Sequence, residues 1–338
     1  MKNLFLYLVK QDGLFNFTLA GLTPFEWLIR GAGTLPWREI RNESEAVLPD
    51  GADAVAILYE DTPLVTAAHL LDLLRDMQKR GVDGYEIGGG SLRTAQAFKR
   101  GVIPKRRCVA PFAERLTSLT RGKIEKILYR EIAESSVQNG AIIPDVESVR
   151  IDALSRVERG ATVEPYAVVT RSVVQSGATI GSFSEVRDAE IGAGAEIFRS
   201  VVRDSVVGKD ATVGPFAYVR MGSVIGEKVR VGDFVEVKKS TLGAGTKAAH
   251  LAYIGDAAIG KRVNVGCGTV FANYDGKTKH QTEVGDDVFL GANSNLVAPL
   301  TVGSGAYVAA ATTLTEEVPA GAFVIGRSRQ EIKQKRRE

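Results

Sequence analysis

The chain has 338 residues, 44% of them hydrophobic and 25% charged, with 43 Lys and Arg against 40 Asp and Glu for a net charge of +3. That composition indicates a globular chain of two or three domains, and the near-balanced charge by itself argues for neither a nucleic-acid nor a membrane partner, so none is expected. Two cysteines, Cys108 and Cys267, are too few for a disulfide framework and lack metal-ligand spacing, so a reducing, cytoplasmic setting is expected.

The opening run from Asn3 to Val9 is apolar but short, and Lys10 and Asp12 close it before a secretory core could form. It is read as a first strand, and no later run is long enough to span a membrane. Residues 1–112 read as a small α/β domain. Ala54 to Tyr59 is a buried-strand run, and Glu60-Asp61-Thr62-Pro63 follows it. A helix capped by Thr66 then places Leu70, Leu71, Leu74 and Met77 on one side. Open α/β sheets keep ligand groups at the carboxyl ends of strands, so Asp61 is either a metal or nucleotide contact or, more commonly, a turn residue. His69 is read as packing, and Gly88-Gly89-Gly90 as a turn rather than a phosphate loop.

Over residues 113–140 a linker helix is expected, with Ile124, Ile127, Leu128 and Ile132 at helical spacing and Asn139-Gly140 as its stop. A different period then takes over. It begins irregularly at Ile143 and Ile151, is clear at Val157 and Val163, and continues through Val174, Ile180, Ile191 and Ile197. Val207, Val213, Val219, Ile225, Val231 and Val237 follow at every sixth position, and Val284, Leu290, Leu296, Val302, Val308 and Leu314 form a second series, where the repeat ends. A fixed six-residue repeat, with Gly after many of the aliphatics, means short parallel strands joined by tight turns. Three strands make one triangular coil, so positions three repeats apart should lie above one another, about 4.8 Å away. One coil cannot stand alone: its three inward aliphatics supply about 1.5 to 3 kcal/mol each, while ordering costs about 1.5 kcal/mol per residue. Stacking and oligomerisation must supply the rest. Residues 328–338 read as a basic, solvated tail.

The chemistry is sought where polar residues break the repeat. Arg220 and Lys238 each follow an inward position and are three repeats apart, which stacks them on one face. Two cations near 5 Å repel by about 3 kcal/mol at an effective dielectric of 20. Either they splay apart or an anion sits between them. The neighbourhood favours the anion: from Phe271 to Val284 the six-residue step becomes thirteen, so Asn273 to Lys279 must leave the prism as a loop, where binding groups collect. His250, two places beyond Ala248, lies outside the apolar register and is a candidate general base.

These residues carry a resemblance. Gly-Pro-Phe-Ala (214–217), Phe-Val-Glu-Val-Lys-Lys-Ser (234–240), His-Leu-Ala-Tyr-Ile-Gly-Asp (250–256), Asn-Tyr-Asp-Gly (273–276) and Gly-Arg (326–327) resemble the carboxy-terminal half of the bifunctional N-acetylglucosamine-1-phosphate uridyltransferase and glucosamine-1-phosphate N-acetyltransferase family. The likeness extends over about residues 113–330. It implies a left-handed parallel β-helix over residues 141–327, preceded by a shortened nucleotidyltransferase-like α/β domain. It further implies acetyl transfer from acetyl-CoA to the amine of glucosamine 1-phosphate, for UDP-N-acetylglucosamine and cell-wall precursor synthesis, in a homotrimer with sites between subunits.

By that resemblance His250 is the base and Asn273 helps to orient the reacting groups. Arg220, Lys238, Tyr253, Asn264 and Lys279 hold the sugar phosphate, and Asn273, Tyr274, Ala292, Ala310 and Arg327 contact acetyl-CoA. No metal and no covalent enzyme intermediate are implied. Three positions depart from the family: Ala292 stands where serine is usual, Ala311 where glycine is usual, and Cys267 where alanine is usual. The amino-terminal domain departs further. Tyr59 to Leu64 resembles the family's metal-binding segment, with Asp61 as its aspartate, but Met1 to Pro36 has no Gly-rich basic loop for a triphosphate and Leu116 to Thr120 no second metal ligand. Residues 1–112 are therefore read as a relic that has lost uridyl transfer, with Mg2+ relevant only if that domain is still active. Two alternatives stand beside the acetyltransferase: a nucleotidyltransferase or bifunctional enzyme, and a non-catalytic sugar-phosphate binding protein.

Overall fold

The structure, a computed structural model, describes residues 3–10, 19–59, 62–88, 90–102, 104, 106, 108 and 121–333. The chain divides into two compact units, Met1–Glu131 and Ile132–Glu338.

In the first unit five strands form one mixed sheet. They are β1 (Leu4–Val9), β2 (Trp37–Ile40), β3 (Ala54–Tyr59), β4 (Gly84–Ile87) and β5 (Gly90–Thr94), in the order β2-β1-β3-β5-β4. Three strands are parallel, and the β4–β5 hairpin closes the edge antiparallel. The expected strands at Asn3–Val9 and Ala54–Tyr59 are thus central and neighbouring. Helices α1 (Pro24–Ala32) and α2 (Ala67–Arg80) supply Phe25, Leu28, Leu70, Leu74 and Met77 to a core with Leu6, Leu8 and Ala56. Thr66 caps α2 as expected, but His69 does more than pack. Its Nδ1 accepts from Thr66 N at 3.3 Å while its own N–H points to Thr66 Oγ1, so it completes a capping box. Of the glycine run, Gly90 serves the hairpin: a Cβ there would stand 2.0 Å from Ile57 O on the adjacent strand. Asp61, the proposed metal or nucleotide contact, lies outside the described residues.

A helix α3 (Ala95–Lys99) and the long α4 (Arg121–Gln138) follow. In α4 Ile124, Leu128 and Ile132 are buried, the spacing read from the sequence, and Gly140 at φ 94° ends the segment.

The second unit is the left-handed parallel β-helix. One face is a ten-stranded parallel sheet from Thr162–Val163 to Phe323–Val324. The second and third faces are joined into a seventeen-stranded sheet because Glu185–Ile191 and Val201–Val207 turn the corner without breaking. Val163, Ile180, Val213 and Val231 on the first face, Val186, Val219, Ile254 and Phe271 on the second, and Val174, Ile225, Leu242 and Val302 on the third are all at most 1% exposed. At the corners the next coil comes so close that a side chain is excluded; a Cβ on Gly243 would lie 2.5 Å from Gly260 C.

Two expectations change. The vertical step is not uniformly three repeats: Thr162 pairs with Thr179, Glu196 with Thr212 and Thr212 with Arg230, steps of 17, 16 and 18. Coils absorb a deletion at a corner as long as the inward residues stay aliphatic. Nor does the repeat end at Leu314, since Val318 bridges to Val302 and Phe323–Val324 pairs with Tyr307–Val308, inside the expected span of the β-helix. A shortened step there hides the last strand from a search at strict hexapeptide spacing.

Candidate active site

Three consecutive coils carry Arg220, Lys238, His250 and Tyr253. Arg230–Asp233 and Lys247–His250 lie on the first face, and Tyr218–Arg220, Glu236–Lys238 and Tyr253–Gly255 on the second. The corner residue Leu251, at φ 39°, separates His250 from Tyr253.

Asp233 and His250 are register partners, and His250 Nδ1 is 2.8 Å from Asp233 Oδ1. A carboxylate only accepts, so Nδ1 carries the proton and, in the neutral ring, Nε2 keeps its lone pair. The bond from His250 holds the Asp233 carboxyl below its ordinary range, helped by its own backbone N–H and by the charges of His250 and Arg230. The His250 side chain is 56% exposed, so Nε2 is accessible.

Arg220 and Lys238 are register partners, as their spacing of three repeats requires. Their predicted mutual repulsion is not left bare, because each has a carboxylate. Arg220 Nε and Nη2 reach Glu236 Oε1 at 2.9 and 2.6 Å, and its guanidinium lies 5.3 Å from the Tyr218 ring. Lys238 Nζ is 2.9 Å from Asp256 Oδ2, and the two side chains are 6% and 9% exposed. Asn273 Nδ2 donates to the same Oδ2 at 2.6 Å and lies 3.4 Å from Tyr253 Oη, and Lys239 Nζ stands 3.6 Å from Asp256 Oδ1. Burial pushes the Asp256 carboxyl up, but the bonds from Lys238 and Asn273 and the two lysine charges outweigh it and leave it below the usual carboxylate range. Asp256 raises Lys238 in turn.

Lys279 differs from these cations. It meets Lys238 amine to amine, with Arg220 nearby, and this contact and charge push its pKa down. No carboxylate forms an ion pair with it among the described residues. The loop that carries it is built and does not merely protrude. Asp275 Oδ1 accepts from the backbone N–H groups of Lys277 and Thr278 at 2.7 Å, His280 Nε2 is 2.7 Å from Asp275 Oδ2, and Tyr274 and Lys279 form an antiparallel bridge. The Tyr274 hydroxyl donates within the loop to Gly276 O at 2.8 Å.

Leu251, Gly268, Asn293 and Ala311 are successive left-handed corner residues, at φ 39°, 74°, 57° and 60°. The residues before them, His250, Cys267, Ala292 and Ala310, therefore form one line up the prism, all exposed. Asn293 N donates to Cys267 O at 2.7 Å, Ala311 N to Ala292 O at 2.8 Å, and Arg327 Nη1 to Ala310 O at 2.6 Å, which gathers three of the expected acetyl-CoA contacts. Asn264 is not gathered. It sits at the start of a first-face strand, paired with Lys247 and Phe289, and its side chain bonds to none of the other candidates. Asp233, Glu236 and Asp256 are the residues that sequence reasoning missed. A groove of about 410 Å³ near Arg171, Asp188 and Val206 contains none of the candidate residues.

Comparison with known proteins follows the same lines. No protein-family model matches the chain. A bifunctional protein GlmU of Geobacillus sp. (strain WCH70) is 49% identical over 207 residues, 61% of this chain and 45% of that one. Those of Clostridium acetobutylicum and Clostridioides difficile are 43% and 46% identical over 228 and 213 residues. The resemblance to bifunctional GlmU stands. It has a clear extent: the chain spans about half the length of these GlmU relatives. Among solved structures an Arabidopsis UDP-N-acetylglucosamine acyltransferase is 17% identical over 54% of this chain and 68% of that one, with a TM-score of 0.38, too loose to carry any argument.

Proposed function

We propose that the protein transfers acetyl from acetyl-CoA to the amine of glucosamine 1-phosphate. The observation that carries this reading is the stacking of Arg220 on Lys238 as register partners on one face, two cations held side by side that a phosphate dianion can bridge. Glu236 and Asp256 hold Arg220 and Lys238 in place, so the site is preorganised for the anion. Tyr253 and Asn273 border the same cluster, and Asn264 completes it from a neighbouring subunit of a homotrimer.

His250 Nε2 takes a proton from the amine as nitrogen attacks the thioester carbonyl; the C–N bond forms, the C–S bond breaks, and the thiolate leaves. Acetyl-CoA, the co-substrate, lies along the corner line of Ala292 and Ala310 to Arg327, with Asn273 and Tyr274 at its reactive end. Neither nucleic acid nor membrane takes part, and none of the described helices is long and apolar enough to cross one. The protein works in the cytoplasm. Residues 1–112 do not support uridyl transfer, a reading that rests on the missing basic glycine loop in Met1 to Pro36.

The test is release of coenzyme A thiol from acetyl-CoA on addition of glucosamine 1-phosphate. Acceptor-dependent release should fall by about a hundredfold to ten-thousandfold in His250→Ala. A folded wild-type protein that releases no thiol at any acceptor concentration would overturn the proposal.

A further inference from the structure

We infer that Asp233 is a positioning residue which decides the nitrogen that His250 offers to a substrate; the catalytic part of this inference rests on the proposed role of His250 as base. His250 is more than half exposed, and its one hydrogen bond among the described residues runs to Asp233. An imidazole left without that partner samples both neutral tautomers and several rotamers, and only the form with a free Nε2 lone pair, suitably aimed, accepts a proton there. The backbone that bears the carboxylate is itself held. Asp233 ends a strand in register with His250, and its backbone carbonyl accepts from Leu251 N at 2.9 Å across the corner. Asp233 and His250 are thus fixed on both sides of one turn.

The surroundings leave this role to Asp233. Arg230 is the other charged group facing the pair from the preceding coil, Lys247 lies on the strand of His250 itself, and the following coil places Asn264 and Cys267. None of these is hydrogen-bonded to the His250 ring, and among the described residues no other carboxylate is within ion-pair distance of it.

The experiment is nitrogen-15 NMR of histidine-labelled protein together with steady-state kinetics. Wild-type His250 should show the Nδ1–H tautomer. Asp233→Ala should shift it toward a mixture and lower kcat by about tenfold to a hundredfold, with KM for both substrates within about twofold. Asp233→Asn, whose carboxamide oxygen accepts the same bond, should keep the tautomer and recover most of kcat. An unchanged tautomer and kcat in folded Asp233→Ala would overturn the inference. If wild type transfers no acetyl but Asp233→Ala still shifts the tautomer, the acetyltransferase reading falls and the positioning role stands.

Discussion

The two edges of the second face are built in opposite ways. At one edge His250 is exposed and held by a single bond to Asp233; at the other, Lys238, Asp256 and Asn273 are buried and share one carboxylate oxygen. The open edge leaves a nitrogen free, whereas the closed edge fixes charge in place. Proton transfer needs a group that reaches substrate and changes state, and anion binding needs charges that do not move.

The largest effect should come from breaking the closed edge. Asp256→Ala leaves Lys238 buried without its carboxylate and should lower unfolding free energy by about 3 kcal/mol in urea titrations. Glucosamine 1-phosphate affinity should fall with it. Acid should act on the same edge. The folded Asp256 pKa is depressed, so its stabilisation is present above the unfolded aspartate value of about 3.9 and is lost as pH falls through the folded value. Stability measured from about pH 6 downward should therefore decline less steeply in Asp256→Asn. A smaller change of opposite sign is expected on the corner line: Ala311, at φ 60°, should gain about 1 kcal/mol on substitution by glycine. Equal sensitivity of the unfolding midpoint to Asp233→Ala and Asp256→Ala would erase the contrast between the edges.

Much of this was legible in the sequence, and the residues show why the remainder was not. Inward positions such as Val219 and Val237 recur because a prism interior accepts only aliphatics, and the loop at Asn273–Lys279 announced itself as a break in the count. Arg220 over Lys238 was readable because the step between them happens to be three full repeats. Asp233 was not: three full repeats back from His250 stands Gly232, and the true step is one position shorter. Glu236 and Asp256 look like ordinary surface acids until the coils are stacked. Helix α1 did carry a signal, since Thr23-Pro24-Phe25-Glu26 spells a capping box with proline at the first turn.

The coil that carries Lys279 is longer than those around it: Asn264 pairs onward with Phe289, whereas Lys247 reaches its own partner, Asn264, by a much shorter path. Above and below the excursion the register resumes, with Ile259 on Val284 and Phe271 on Leu296. The stack therefore counts this coil as one layer whatever its length. Residues 274–281 form a cassette whose length the stack does not fix, whereas Asn273 at its root is bonded to Asp256 and belongs to the scaffold.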